Sequence, residues 1–541
     1  MKKYNLIPIP FIAMLLVVIT ACNEDFLDRK ATNAIPEEDV FEDPALMQLF
    51  VNNMYLDVPS FDHHLYDNIT DESRSYWGGS PQNVVEGQWF PDNNPMEYWA
   101  YGPIRKANMF LSNVDAAPVD EEEKSVLKGQ VKFLRALHYF NMIKRYGGVP
   151  IITEPQELTD DLFVSRETMD NSFEFVINEL EEAVDLLPET YGSRSVDVGK
   201  ANKYSAMAFL GRIYLYWASP LYNPQNDISR WEKAVNVNKE VMDKNIYQLY
   251  PDFRNIMLEK NNQEEVFSVQ FLRPFREHGW DSWAMPDSRS RQDAVRRSPL
   301  QEFVDAFEMK NGKAIDDPTS GYDPANPYEN RDPRFDATLI VNGSTFGFQN
   351  LPVYLYEGAP MDGINHAYAT VTGYLMRKGT DESNQVYYGG SGSDQNWLEL
   401  RYAEVLLNYA EAQNEVLVAP DQSVYEAVER VRQRAGLDPY HLPQGLSKVE
   451  MRERIRHERY IELAFEQKRY WDLRRWKIAE EKLNGKTFHA MYITRLGEDS
   501  YSYEAKPYSQ TPYVFQEKMY FMPIPQREME KNPNLDQNPG W

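Results

Sequence analysis

The residues in this sequence with the clearest chemistry lie in polar loop stretches that also carry aromatic side chains. Connecting loops run over a protein's surface, so a loop-borne ring is exposed more often than one inside a helix. An exposed ring offers an apolar face to the C–H face of a sugar, while Asp and Arg bind sugar hydroxyl groups. These stretches therefore hold the candidates for a ligand site, and their chemistry would suit a sugar. The first stretch, residues 66–99, contains the strongest candidates, Trp89, Trp77 and Asp71. The second, residues 275–291, contains Trp280 and Trp283, and the third, before residue 398, contains Arg377, Tyr387 and Tyr388.

Other kinds of site find little support. The chain has no HExxH motif, phosphate-binding loop or dinucleotide fingerprint, so we expect a protein that is not an enzyme and needs no cofactor or metal. A calcium site at Asp316, Asp317 and Asp323 is a weaker possibility, because their spacing is not that of an EF-hand. The formal net charge of −26 disfavours nucleic acid as a partner.

The amino terminus reads as an export signal that ends at the single cysteine. Lys2 and Lys3 precede a short apolar stretch that ends at Ile19, and Thr20-Ala21-Cys22 follows. This arrangement is similar to a lipobox, in which the cysteine becomes acylated. We expect residues 1–21 to be a signal peptide and residues 22–40 to be the lipidated Cys22 and its tether.

Helical periodicity and the distribution of Pro, Gly, Asp and Asn divide the remaining chain into four segments. Apolar residues at helical spacing dominate residues 41–250 and 398–482. Residues 251–397 are rich in Pro, Gly, Asp and Asn, which predicts a loop-rich, ligand-binding insertion with a few short strands. Residues 483–541 predict an irregular segment packed on the helices.

Repeated patterns within the helical segments predict four tetratricopeptide-like helix pairs with long irregular insertions. Small and large apolar residues at the required spacing place the second helices near Ala107, Val176, Ala234 and Ala427. Leu210-Gly211-x-x-Tyr214 is the best match to a first helix, because its glycine permits close approach of two helices.

Residues 453–477 alternate in charge sign and predict one salt-bridged helix. Glu466 with Arg469 and Asp472 with Arg475 have the i,i+3 spacing of ion pairs on one helix face. We interpret this helix as scaffold rather than as part of a ligand site.

Four stretches together resemble the SusD/RagB family of outer-membrane nutrient-binding lipoproteins. They are Phe26-Leu27-Asp28 soon after Cys22, the run from Val131 through Gly147-Gly148-Val149-Pro150, the run from Leu400 through Trp476, and the ending from Met522 to Trp541. The resemblance implies a mainly α, SusD-like fold and a lipid-anchored position in the outer membrane, facing the cell exterior. It also implies a SusC-like TonB-dependent transporter as partner and, most often, a glycan as ligand.

Three functions stay open on the sequence. The leading one is a surface protein that captures oligosaccharide or polysaccharide and delivers it to the transporter. The second is a peptide-binding member of the same family, and the third, less favoured, is a surface glycoside hydrolase. The sequence does not identify the glycan.

Overall fold

The computed structural model describes residues 37–61, 66–76, 78–191, 197–290, 295–364, 366–384 and 392–541. Its helices are α1 (Glu37–Glu42), α2 (Pro44–Met54), α3 (Ser80–Val85), α4 (Tyr101–Asn113), α5 (Glu121–Tyr146), α6 (Met169–Leu186), α7 (Lys203–Ala218), α8 (Ile228–Asp243), α9 (Trp280–Ala284), α10 (Asp287–Ser290), α11 (Gln301–Ala306), α12 (Arg334–Thr338), α13 (Tyr402–Val416), α14 (Gln422–Ala435), α15 (Lys448–Glu462), α16 (Arg469–Arg475), α17 (Ala479–Leu483) and α18 (Gln526–Lys531). The chain is mainly α-helical, as the sequence predicts.

Ten short strands form five separate two-stranded sheets among the described residues. The strands are β1 (Ser73–Arg74), β2 (Glu265–Val269), β3 (Ser298–Pro299), β4 (Leu339–Ile340), β5 (Thr345–Phe346), β6 (Leu351–Pro352), β7 (Leu375–Met376), β8 (Trp397–Arg401), β9 (His489–Arg495) and β10 (Tyr501–Pro507). All five pairs are antiparallel: β1 with β3, β2 with β8, β4 with β7, β5 with β6, and β9 with β10. Several strands therefore join segments that are distant in sequence.

Several scaffold helices begin with strong local signals. The side chain of Asp120 accepts a hydrogen bond from the backbone of Glu123 at the start of α5, and three acidic residues occupy the first turn. Asn202 and Ser205 form a capping box at the start of α7. Both helices are buried along most of their length, so they form the centre of the core.

The four predicted helix pairs correspond to α2 with α4, α5 with α6, α7 with α8, and α13 with α14, and the members of each pair contact each other. A Cβ atom at Gly211 on α7 would lie 2.6 Å from Oδ1 of Asn238 on α8. Only glycine allows the two helices to approach so closely at this point. The tetratricopeptide-like character of the pairs beyond this contact stays a prediction.

The helix expected over residues 453–477 is interrupted. The structure has α15 and α16 instead, joined by a turn in which Phe465 and Gln467 adopt positive φ angles of 60° and 59°. The expected pair Asp472–Arg475 forms at 2.8 Å, but Glu466 and Arg469 bond to other parts of the chain. Helical spacing alone could not show that the chain turns here to bring these charges inward.

Arg401, at the end of β8, is the centre of a buried ion network. Its side chain is 1 % exposed and bonds to Glu264 at 2.7 Å, Glu462 at 2.7 Å and Glu466 at 2.8 Å. The other cations of this Arg401 network are Lys378, Arg434 and Arg334. The network joins β2, β8, α12, α14, α15 and the segment before Gly379, and so connects the helical scaffold to the loop-rich insertion.

Two carboxylates of this network, Glu462 and Glu466, remain ionised despite their burial. Burial raises the pKa of Glu466, but Arg401 and Lys378 outweigh that effect and lower it to about 2. Burial likewise raises the pKa of Glu462, and Arg434, Arg401 and Arg334 together hold it well below its usual range. Each carboxylate therefore stabilises the fold above the unfolded pKa of about 4.3, and this contribution is lost as the pH falls towards the folded value.

The carboxy-terminal segment is more regular than the sequence predicts. Residues expected to be irregular contain the seven-residue strands β9 and β10, which pair along their whole length from His489–Pro507 to Arg495–Tyr501. Ile493 and Met491 point to the core from β9, so the hairpin packs against the body of the protein.

The predicted export signal, Cys22 and most of the tether lie outside the described residues. Within the part of the chain that the structure describes, no helix combines the length and apolarity needed to cross a bilayer.

Removing the central cation of the network tests how much the fold depends on it. Arg401→Met leaves buried carboxylates without one of their partners, and breaking a buried pair in this way costs about 3–5 kcal/mol. We expect a clear fall in the urea midpoint of unfolding. The matched control is Lys239→Met, because Lys239 pairs with Asp243 on an exposed helix face and such pairs contribute about 0.3–0.5 kcal/mol. Equal midpoints for the two variants would contradict a central role for Arg401.

Candidate ligand-binding site

Two of the predicted aromatic loop stretches meet on one side of the molecule. β1 pairs with β3, with Ser73 opposite Pro299 and Arg74 opposite Ser298. Beyond the paired residues, the backbone N–H of Tyr76 donates to the carbonyl of Val295 at 3.1 Å. The pairing holds the loop after β1 beside the loop that follows α9 and α10.

A third segment joins them through Tyr368. The backbone N–H of Val295 donates to the carbonyl of Tyr368 at 3.1 Å, and the rings of Tyr76 and Tyr368 lie 5.7 Å apart between centroids. We call the surface formed by Tyr76, Trp283, Arg289, Arg296 and Tyr368 the loop junction. All five side chains are partly exposed.

Trp283, the last aromatic residue of α9, has a ring position that the backbone determines. A Cβ atom at Gly279 would lie 2.6 Å from Cε2 of the ring, so the indole packs directly on the glycine backbone. The backbone N–H of Arg296 donates to the carbonyl of Trp283 at 2.9 Å, and the Arg296 guanidinium lies 5.9 Å from the ring centroid. The ring is thus held before any ligand arrives.

Tyr368 adopts an unfavourable backbone conformation. Its φ angle is 68°, in the left-handed region, which costs an L-residue roughly 1–2 kcal/mol. Such strain persists only where the surrounding structure enforces it, and it is concentrated at ligand sites and switch regions. Here the hydrogen bond from Val295 and the contact with the Tyr76 ring hold the residue in place.

Hydrogen bonds around α10 fasten the segment that carries Tyr368. The backbone N–H of Ser288 donates to Oδ1 of Asp362 at 2.8 Å. Burial raises the pKa of Asp362, and the hydrogen bonds from Ser288 partly oppose this effect. The Arg289 side chain donates to the Ser288 hydroxyl at 2.9 Å and lies against Gly347. The Arg289 side chain is therefore held beside α10, and its guanidinium can donate further hydrogen bonds.

Trp89 and Trp280 correct the sequence-based expectation that both rings are exposed on loops. Trp89 is 2 % exposed, and its ring centroid lies 4.5 Å from that of Trp541 at the carboxy terminus. Trp280 is fully buried, 5.0 Å from the ring of Phe61, with the Arg297 guanidinium 4.3 Å from its centroid. Neither ring has a face open to solvent in this structure.

Asp71 is also buried, and its side chain is paired with an arginine. Its two carboxylate oxygens accept hydrogen bonds from Arg469 at 2.9 Å and 2.6 Å, and the residue is 8 % exposed. This pair fastens the start of the first loop stretch to α16. Asp71 is therefore better explained as a residue that positions the loop than as a direct sugar ligand.

Arg377 is partly exposed and held by an ion pair. Its Nε donates to Glu382 at 2.7 Å, and a terminal nitrogen donates to the carbonyl of Thr345 at 3.0 Å. Trp77, Tyr387 and Tyr388 lie outside the described residues. The ligand contacts of these four residues stay predictions.

Sequence reasoning missed Tyr368 and ranked Tyr76 below its neighbour Trp77. Tyr368 satisfied the criterion of an aromatic residue on a loop rich in Gly and Asn, so the signal was present. Its importance depends on the contact with Tyr76 from a distant part of the chain, which no local pattern shows.

Asp317 and Asp323, two of the three residues of the weak calcium candidate, accept hydrogen bonds within their own turns. Oδ1 of Asp317 accepts hydrogen bonds from the backbone and hydroxyl of Thr319, both at 2.7 Å, and Asp323 accepts one from the backbone of Ala325 at 2.9 Å. These carboxylates thus stabilise their own turns. Within the described ranges, no three or more His, Cys, Asp or Glu side chains come together in a group that could hold a metal ion.

Comparison with known families gives two matches. The model of the SusD family matches residues 263–541. A second model, described as starch-binding and associating with the outer membrane, matches residues 25–215.

Individual proteins show the same likeness over the full length. SusD-like protein P2 of Formosa agariphila is 25 % identical over 573 residues, covering 100 % of each chain. The solved structure of a SusD-like protein from Bacteroides fragilis is 29 % identical with a TM-score of 0.80, covering 95 % of this chain and 100 % of that one. A laminarin-binding SusD-like protein shares the fold at 21 % identity and a TM-score of 0.66, over 92 % of this chain and 99 % of its own.

The contact between Gly279 and Trp283 is directly testable. Gly279→Ala introduces a Cβ atom where the ring now lies, and Gly279 has a φ angle of −102°, so alanine meets no backbone strain. We expect a changed near-ultraviolet circular dichroism signal from displaced tryptophan, with the far-ultraviolet signal retained. The control is Gly102→Ala, because a Cβ atom at Gly102 has no neighbour within 4 Å. An unchanged near-ultraviolet signal for Gly279→Ala would show that the ring is not held against this backbone.

Proposed function

Because this chain belongs to the SusD family, whose model matches residues 263–541, we propose that it captures carbohydrate chains at the loop junction. The observation that carries the proposal is the partly exposed ring of Trp283, which packs on Gly279 and lies 5.9 Å from the Arg296 guanidinium. A matching family model is described as starch-binding, and a structural relative is described as laminarin-binding. Both polymers consist of uncharged glucose units, which suggests a neutral glucan as ligand.

The loop junction has the groups that a sugar needs. The Trp283 ring stacks on the apolar face of a pyranose, and the guanidinium groups of Arg289 and Arg296 donate hydrogen bonds to its hydroxyls. Strand pairing and backbone hydrogen bonds hold these groups before the ligand arrives. Less conformational entropy is then lost on binding, which raises affinity.

Binding alone is the proposed activity, with no catalytic step. Hydrolysis of a glycosidic bond requires two carboxyl groups placed across the bond at defined separations. Of the two acidic residues at α10, Asp287 is buried on the helix, and Asp362 is buried and accepts a hydrogen bond from Ser288. Its carboxylate is therefore occupied in fastening the loop.

The captured chain would pass to a SusC-like TonB-dependent transporter in the outer membrane. A matching family model is described as associating with that membrane. The sequence before Cys22 supports attachment through an acylated cysteine, and the family resemblance supports a position facing the cell exterior. On this proposal the transporter supplies the energy for uptake, and this chain supplies selectivity.

Loss of the Trp283 ring should weaken glycan binding without unfolding the protein. Removal of a stacking aromatic costs about 1–3 kcal/mol, which corresponds to a Kd increase of roughly 5- to 150-fold. Isothermal titration with maltohexaose and laminarihexaose measures the effect for Trp283→Ala. Trp99→Ala is the matched control, because Trp99 is also partly exposed but packs on Tyr101 and Tyr146.

Two outcomes would contradict this proposal. If Trp283→Ala binds as tightly as the parent, the ligand does not stack on this ring. Release of reducing sugar by the parent, sustained over many turnovers, would instead favour the hydrolase alternative.

The anchor and the partner are tested together in a native host. Cys22→Ser removes the acylated thiol, so we expect the protein to leave the membrane fraction while its glycan affinity stays unchanged. Extraction of the parent in mild detergent should recover a large β-barrel protein with it. A parent that is recovered alone from native membranes would contradict the partnership, and a Cys22→Ser variant that stays in the membrane would contradict the anchor.

A further inference from the structure

Three tyrosine rings outside the loop junction form a continuous aromatic surface. Tyr354 and Tyr356 lie 5.9 Å apart between centroids, and Tyr356 and Tyr501 are also 5.9 Å apart. Tyr354 is 40 % exposed, and the other two are partly exposed. We call these three residues the tyrosine ridge.

The β9–β10 hairpin holds the ridge in place. Tyr501 pairs with Arg495 across the two strands, and the backbone N–H of Glu357 donates to the carbonyl of Ile493 at 2.8 Å. Ile493 is fully buried beneath this edge, which places the segment of Tyr354 and Tyr356 along β9. The rings are therefore supported by regular structure rather than by a loop alone.

Arg495 gives the ridge a fixed polar edge. Its guanidinium donates to the Tyr356 hydroxyl at 3.3 Å, to the carbonyl of Gly497 at 2.8 Å and to that of Glu498 at 3.2 Å. Glu357, next to Tyr356 in sequence, is exposed, and its carboxylate lies next to Thr494, whose side chain is on the other face of β9.

Two of the ridge residues, Tyr354 and Tyr356, belong to the same segment of chain as Tyr368 of the loop junction. The backbone N–H of Ile364 donates to the carbonyl of Leu355, between the two tyrosines, at 3.2 Å. Asp362 accepts the hydrogen bond from Ser288 on α10, and Tyr368 follows six residues later. Other exposed apolar side chains on this segment are Phe348, Leu351 and Met361. Clusters of exposed apolar side chains mark interaction sites.

We propose that the tyrosine ridge is a second sugar-binding platform, which engages an uncharged polysaccharide chain already held at the loop junction. Each tyrosine combines an apolar face for stacking with a hydroxyl that can bond to a sugar, and the rings are tilted by 53° and 32° to each other. A curved series of rings with hydroxyl and guanidinium groups at its edge suits a curved glycan chain better than a flat protein surface. The inference rests on the proposed function and adds a selection for chain length.

Two sites that bind the same glycan chain make affinity depend on chain length in a way that one site alone does not. Two contacts on one chain raise affinity for the polymer through effective concentration, whereas a short oligosaccharide held at the loop junction gains nothing from the ridge. The double variant Tyr354→Ala/Tyr501→Ala should therefore lose affinity for polymers only.

The experiment compares amylopectin and laminarin with maltohexaose and laminarihexaose, by affinity electrophoresis for the polymers and titration for the oligosaccharides. We expect the double variant to bind the preferred polymer about 5- to 150-fold more weakly and to bind its hexasaccharide within about twofold of the parent. Tyr354→Phe/Tyr501→Phe retains the rings and should keep most of the polymer affinity. Tyr492→Ala is the matched control, because Tyr492 lies on the opposite face of the same hairpin, next to Lys506.

The outcomes separate this inference from the proposed function. If Trp283→Ala weakens binding of both polymer and hexasaccharide while the double variant binds the polymer like the parent, the ridge is not a sugar platform. Equal losses on polymer and hexasaccharide, with circular dichroism unchanged, would make the ridge part of the primary site and overturn a second platform. Loss of barrel co-purification with full polymer binding would assign the ridge to the protein partner. A parent that binds none of the four probes overturns the proposed function itself for neutral glucans, and the ridge inference with it.

Discussion

The fold depends most on the burial of Arg401 among Glu264, Glu462 and Glu466. These groups come from β8, the residue before β2, the end of α15 and the turn after it, and their bonds are 2.7–2.8 Å long. Buried charges tolerate little displacement, because a carboxylate without its partner would face the full cost of leaving water. The network therefore sets where the loop-rich insertion attaches to the helices, and hydrophobic packing alone would specify this less strictly.

The positions of the candidate ligand-binding loops depend on that attachment. Lys378, which bonds to Glu466, follows directly after Arg377 in the insertion, and Asp71 bonds to Arg469 soon after the interrupted end of α15. The first and third loop stretches are thus tied to the same turn between α15 and α16. The β1–β3 pairing then brings the second stretch alongside, and the strained conformation of Tyr368 is sustained by this surrounding support.

Local signals in the sequence predicted the parts of the structure that local forces determine. The start of α7 follows from its capping residues, and Gly211 marked a close helix contact because few other reasons favour glycine inside a helix. The interruption before α16 was not predictable in this way, since the partners of Glu466 are Arg401 and Lys378 rather than its helical neighbours. Trp89 shows the same limit at the candidate site, because the ring that buries it belongs to Trp541.

Buried and partly exposed aromatic side chains place their polar atoms in different surroundings. Trp280 is enclosed, and its single N–H donor reaches the carbonyl of Lys378, so one hydrogen bond satisfies it. A tyrosine hydroxyl both donates and accepts hydrogen bonds. At a surface, the hydroxyl can bond to water in the absence of a ligand and to a sugar in its presence. Tyr76, Tyr368 and the tyrosine ridge keep partly exposed rings on supported backbone, where this exchange costs little. The high tyrosine content, 35 residues against 26 phenylalanines, therefore has two uses: buried hydroxyls such as those of Tyr139 and Tyr374 bond to groups inside the protein, whereas the partly exposed rings meet solvent.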